Sequence, residues 1–137
     1  MCKFLSSIIM IAGLFLAVPS HAFTLTQSGA NVDVSFTEPT TNDPKFGGAP
    51  LTDLDHTSIF FDAGSGGVKA ADVPASSPSG GGPVAVTVTV PIVEGMEADV
   101  IFFLSATDKS GNESDLIQGR AQGKTLRIDR LAPAIPE

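Results

Sequence analysis

Three stretches of this chain hold residue types that do chemistry elsewhere. Gly119-Arg-Ala-Gln-Gly-Lys-Thr125 carries the glycines, lysine and hydroxyl of a phosphate-binding loop. That loop needs four residues before its Gly-Lys-Thr, and a following helix whose amides face the phosphates. Here only three intervene, and Leu126-Arg127-Ile128 reads as strand, so the run is expected to be a turn. Asp53, Asp55, His56 and Asp62 offer oxygen and nitrogen donors for a metal. His56 and Asp62, however, flank a strand of roughly 20 Å at about 3.3 Å per residue, which keeps them from converging. Asp53 and Asp55 read as turn acids. Asp108, Ser110, Asn112 and Asp115 lack the glycine-and-glutamate framework of a calcium loop and read as a side chain-capped turn. Hydrolytic chemistry finds no support: His56 is the only histidine after the first 22 residues, and no Gly-x-Ser-x-Gly elbow accompanies it. Asn112-Glu113-Ser114 matches a glycosylation acceptor, whose default meaning is a polar turn. No catalytic set, cofactor site or metal site is expected.

The elements that would position any site begin after a leader. One lysine, an apolar run from Phe4 to Val18 and the small-x-small ending Ser20-His21-Ala22 predict a secretory signal peptide, residues 1–22, cleaved after Ala22. The apolar run is too short for the roughly 20 residues that span a bilayer core, so no membrane insertion is expected after cleavage. Removal would leave residues 23–130 as one domain and 131–137 as a proline-rich tail. The single cysteine, Cys2, would leave with the leader. A secreted or periplasmic domain without disulfides must then rest on its core. The formal charge of −7 would become −8 with the loss of Lys3. Such an acidic surface argues against nucleic acid as a partner.

Alternation of apolar and polar residues marks the strands. Phe23 to Thr26 reads as a short first strand, and Val32, Val34 and Phe36 as the buried side of a second. Glu38 to Pro50, with its prolines and Gly-Gly pair, is a long loop. Leu51 and Leu54 are expected to tie that loop to the core. Thr57, Ile59 and Phe61 face one side of a third strand, with His56, Ser58 and Phe60 on the other. Val68 to Val73 is an edge strand, and Pro74 to Pro83 a flexible Ser/Gly/Pro loop. Val84 to Val90 turns four valines inward. Asp99 to Thr107 is apolar on both sides, the mark of a central strand: Val100, Phe102, Leu104 and Ala106 on one, Ile101, Phe103, Ser105 and Thr107 on the other. Leu116-Ile117 and Leu126 to Ile128 are expected to frame a last strand, broken around Gly119 and Gly123. No window after the leader shows a helical apolar period, so essentially no helix is predicted. Seven short strands separated by turn signals describe an all-β, antiparallel, seven-stranded immunoglobulin-like β-sandwich.

The ordered set Pro50-Leu51-Thr52-Asp53-Leu54, Ile59-Phe60-Phe61-Asp62, Thr87-Val88-Thr89-Val90-Pro91, Phe102 to Asp108 and Ser110-Gly111-Asn112-Glu113-Ser114 resembles the fibronectin type III family in its bacterial exported form. The resemblance runs from about Phe23 to Asp129. The chain departs from it where such domains usually carry a tryptophan in the second strand (here Val34 and Phe36) and tyrosines in the third and sixth (here Thr57 and Phe102). Phe102 has no hydroxyl for a tyrosine-corner bond. The resemblance implies a non-catalytic module used as a spacer or for binding, with the third and sixth strands side by side.

That placement would gather Phe60, Ile101 and Phe103 on the outer face of one sheet, and a contiguous apolar cluster marks a partner site. The expected function is therefore protein–protein interaction, adhesion or structural assembly at or outside the cell envelope. Self-association is included, for example by strand addition through the Phe23-Thr-Leu-Thr end. The alternative is a carbohydrate-associated module of secreted glycan-degrading systems. The absence of tryptophan and tyrosine, which stack on sugar rings, weighs against that.

Overall fold

The computed structural model describes residues 23–136. The expected leader, residues 1–22, lies outside the described residues. Two antiparallel sheets face each other. One is ordered β1 (Thr24–Ser28), β2 (Asn31–Thr37), β5 (Pro83–Thr89). The other is ordered β4 (Gly67–Pro74), β3 (Leu54–Asp62), β6 (Glu97–Asp108), β7 (Lys124–Asp129). The chain is an all-β sandwich.

Alternation sets the core, as expected. Val32, Val34 and Phe36 of β2 and Val84 and Val88 of β5 meet Ile59 and Phe61 of β3, Val100 and Phe102 of β6 and Ile128 of β7. Phe23 is buried with them, and Leu104 and Val86 pack at the margin. Removing these side chains from water is the main term holding the sheets together. With Phe23 in the core and β1 paired along β2 from Thr24 to Ser28, the amino-terminal strand is already used within the chain. Its other side is a sheet edge.

Two loops are tied down more firmly than their composition suggests. Leu51 and Leu54 are buried, as expected. The Ser/Gly/Pro loop after β4 is fastened by Glu38, which sits buried at the end of β2. Its carboxylate accepts bonds from the Ser76 amide (2.8 Å), the Ser76 hydroxyl (2.7 Å) and the Gly82 amide (3.2 Å). Burial pushes this carboxyl's pKa up, but the three bonds outweigh it and hold the group below its ordinary value. Gly80 in the same loop has φ 68°, and a Cβ there would lie 1.9 Å from the Pro39 carbonyl oxygen, so only glycine fits.

The expectation of no helix is corrected. Leu116–Ala121 forms a short helix, α1, and Pro44–Phe46 a single 3-10 turn. Leu116 and Ile117 therefore open a helix and do not begin the last strand. Asp115 caps it, accepting bonds from the Ile117 and Gln118 amides. β7 pairs only with the first half of β6, Glu97 to Phe102. Beside the second half the chain runs as a strap: the Ser114 amide donates to the Ala106 carbonyl (2.8 Å), and α1 comes next. A Cβ on Gly119 would meet the Leu104 carbonyl oxygen at 2.8 Å, and one on Gly123 the Phe102 carbonyl oxygen at 2.6 Å. These glycines let the strap lie directly on the β6 edge.

The seam between β1 and β7 is closed by side chains. The Gln27 amide nitrogen donates to the Asp129 carbonyl (2.7 Å), and its oxygen accepts from the Asp129 amide (3.2 Å). Lys124 donates to the Phe23 carbonyl and sits over that ring.

Candidate interaction surface

β3 and β6 pair with Phe60 opposite Phe103 and Asp62 opposite Ile101. Ile59 and Phe61 point inward, so Phe60 and Phe103 share the outer face, as the alternation predicts. Their rings stack, with centroids 5.1 Å apart and planes 7° from parallel. Ile101 is half-buried in the next row. The three residues do come together.

They do not form an open patch, and on this point the expectation is corrected. Phe60 is 8% exposed and Phe103 4%. The cover comes from three places. The Lys69 ammonium of β4 lies 5.8 Å from the Phe60 ring centre, and the Arg120 guanidinium of α1 lies 5.8 Å from that of Phe103. Gly67 abuts the Phe103 ring edge. Arg120 takes part in this cover because β7 is short, so that the chain runs beside the second half of β6 as α1.

Arg120 also reaches across β6 to the Asp62 carboxylate, forming an ion pair with it. Asp62 accepts from the Gly64 amide (2.7 Å) and the Gly66 amide (3.2 Å) in the β3–β4 turn. The Gly64 amide, then Arg120, hold the Asp62 carboxyl below its ordinary pKa. Beyond the phenylalanines a polar row crosses the same face: Ser58 donates to Asp72 (2.5 Å), and Ser105 to Glu113 (2.7 Å).

The remaining candidates lie elsewhere. His56 Nδ1 lies 2.7 Å from Asp55 Oδ2, while Asp62 is at the opposite end of β3. Among the described residues no group of three or more histidine, cysteine or acidic side chains is placed to hold a metal ion. Asp108 closes its turn by accepting from the Ser110 and Asn112 amides, both at 2.9 Å. The Asn112 side chain and then its amide keep the Asp108 carboxyl below its usual value. Gly119 to Thr125 is split between α1 and β7, with Lys124 committed to Phe23. No helix among the described residues is long and apolar enough to cross a membrane.

A second surface was not anticipated. At the end of the sandwich where β3 turns into β4 and β5 leaves its sheet, Phe61, Ala63, Val68, Val90 and Pro91 line an open depression of ≈ 390 Å³. The β5–β6 turn beside it exposes Val93 (66%) and Met96 (57%). The Arg130 amide donates to the Met96 carbonyl, which brings the exposed Leu131 to the same end. The signal in the sequence was the apolar content of Ile92-Val93, just after Pro91 ends the run of valines.

No family model, no curated protein and no solved structure matches this chain.

Proposed function

We propose that this chain is a non-catalytic, fibronectin type III-like module, exported after loss of residues 1–22, that works by contact with a protein surface. The adjacency of β3 and β6 supports the likeness. So does the place of β4 beside β3, which distinguishes the chain from the constant-type immunoglobulin order, where the fourth strand joins the first sheet. The observation that carries the functional reading is the exposure of Val93 and Met96 beside an apolar depression. Large apolar side chains gathered at one place favour burial against a partner. The acidic charge of the chain disfavours nucleic acid and anionic lipid as that partner.

The test is chemical crosslinking in an envelope fraction, comparing the protein with Val93→Ser/Met96→Ser. A crosslinked adduct, with another protein or with a second copy, is expected. It should weaken about tenfold in the variant, since two exposed apolar side chains are lost. Equal adducts from both proteins, or retention on insoluble polysaccharide, overturn the reading.

A further inference from the structure

We propose that α1 is a hinged cover, latched by Arg120 to Asp62, whose release bares Phe103 and Ile101 beside Phe60. The outer face of an antiparallel sheet is ordinarily polar. The row on one side of the phenylalanines, Ser58 with Ser105, obeys that rule, while the row on the other side sets Ile101 opposite Asp62. A stacked pair of phenylalanines therefore breaks the pattern of its own sheet, and a single side chain from α1 shields one of the two rings.

The cover is weakly rooted. α1 has six residues and buries none of its own side chains. Ile117, at 84% exposure, points away from the protein. A helix this short does not hold itself together in water, so its attachments decide whether it stays. The attachments to the sheet that can be named are polar: Ser114 exchanges bonds with the Ala106 backbone, Ser105 donates to Glu113, and Arg120 pairs with Asp62. A segment with no fully buried side chain opens at lower cost than the core beneath it.

The two halves of the latch differ in a way that suits opening and reclosing. Asp62 is held by the Gly64 and Gly66 amides within the β3–β4 turn, so its carboxylate keeps its place when Arg120 leaves. Arg120 stands on the strap, between Gly119 and Gly123, and moves with it. β7 begins at Lys124 and remains paired with β6 through either state. In the open state Lys69 still covers Phe60, while Phe103 and Ile101 face water.

Hydrogen exchange under native conditions tests this in the unaltered protein. The hydrogen-bonded amides of Ser114, Gly119 and Gly123 should exchange at denaturant concentrations that leave the β3 and β6 core amides of Ile59 and Phe102 protected. Arg120→Ala should speed exchange at those three amides about tenfold, as expected for loss of an ion pair and a cation–π contact. It should also raise the fluorescence of a dye that binds apolar surface, with an unchanged far-ultraviolet circular dichroism spectrum. Arg120→Lys, which keeps the charge but not the planar contact, should fall between. Exchange of the strap only together with the core in the unaltered protein overturns the proposal. So does an Arg120→Ala protein that matches the original in exchange and dye binding, or one that loses its β-sheet spectrum outright.

Discussion

Thr57 faces the core from β3, and its hydroxyl is buried without a hydrogen-bond partner. A buried polar group left unpaired carries its full desolvation cost. Thr57→Val keeps the shape and removes the hydroxyl, so it should raise stability by about 1 kcal/mol, read as a higher urea midpoint with an unchanged slope. Glu38 presents the opposite case: a buried carboxylate with every contact arranged to favour its charge. Its folded pKa lies below its usual value of 4.5. The stability it contributes is therefore complete above about pH 4.5 and drains away as pH falls through the folded pKa. Glu38→Gln should lower stability at neutral pH by about 2 kcal/mol and flatten the dependence below pH 4.5, measured by urea denaturation across that range. A variant with the original acid sensitivity would show that Glu38 does not set it.

Among the elements, the strap beside β6 is the most exacting. Replacing an ordinary glycine by alanine stabilises a chain slightly, by restricting its unfolded state. At Gly119 and Gly123 the sign should reverse, because the added carbon would lie 2.8 Å and 2.6 Å from backbone oxygens that have no room to retreat. Each change should cost about 1–3 kcal/mol in thermal or urea unfolding. A neutral Gly119→Ala would mean that α1 does not rest on β6. The strands were legible in the sequence because alternation over five or more residues leaves few other readings: Val32-Val34-Phe36 and the valines of β5 are examples. α1 was not, because six residues are under two turns, too few for an apolar period, and a glycine interrupts them. The clue was Asp115 directly before Leu-Ile, a capping residue type that is equally at home in a turn. The same gap hid the fate of the candidate surface. Strand parity put Phe60, Ile101 and Phe103 on one face, but whether that face stays open depends on Arg120, which lies 19 positions beyond Ile101 and acts through the tertiary fold.

Seen whole, the molecule has four sheet edges, and exposed edges invite pairing with other chains. On one side β4 and β5 lie near each other, with the apolar depression between their ends. On the other, β1 and β7 are joined by Gln27, whose side-chain amide exchanges two hydrogen bonds with the Asp129 backbone as a neighbouring strand residue would. Gln27→Ala should leave the core untouched yet promote slow aggregation, visible by light scattering at concentrations where the original protein stays clear. The partners of this clamp lie 102 positions apart. A copy in which β1 has formed but β7 has not yet docked therefore presents an open β1 edge, and Gln27 closes on the Asp129 backbone only when β7 arrives. Copies with β7 undocked should pair with other chains at this edge. Docking of β7 is then the step that limits the chain's exposure to its neighbours.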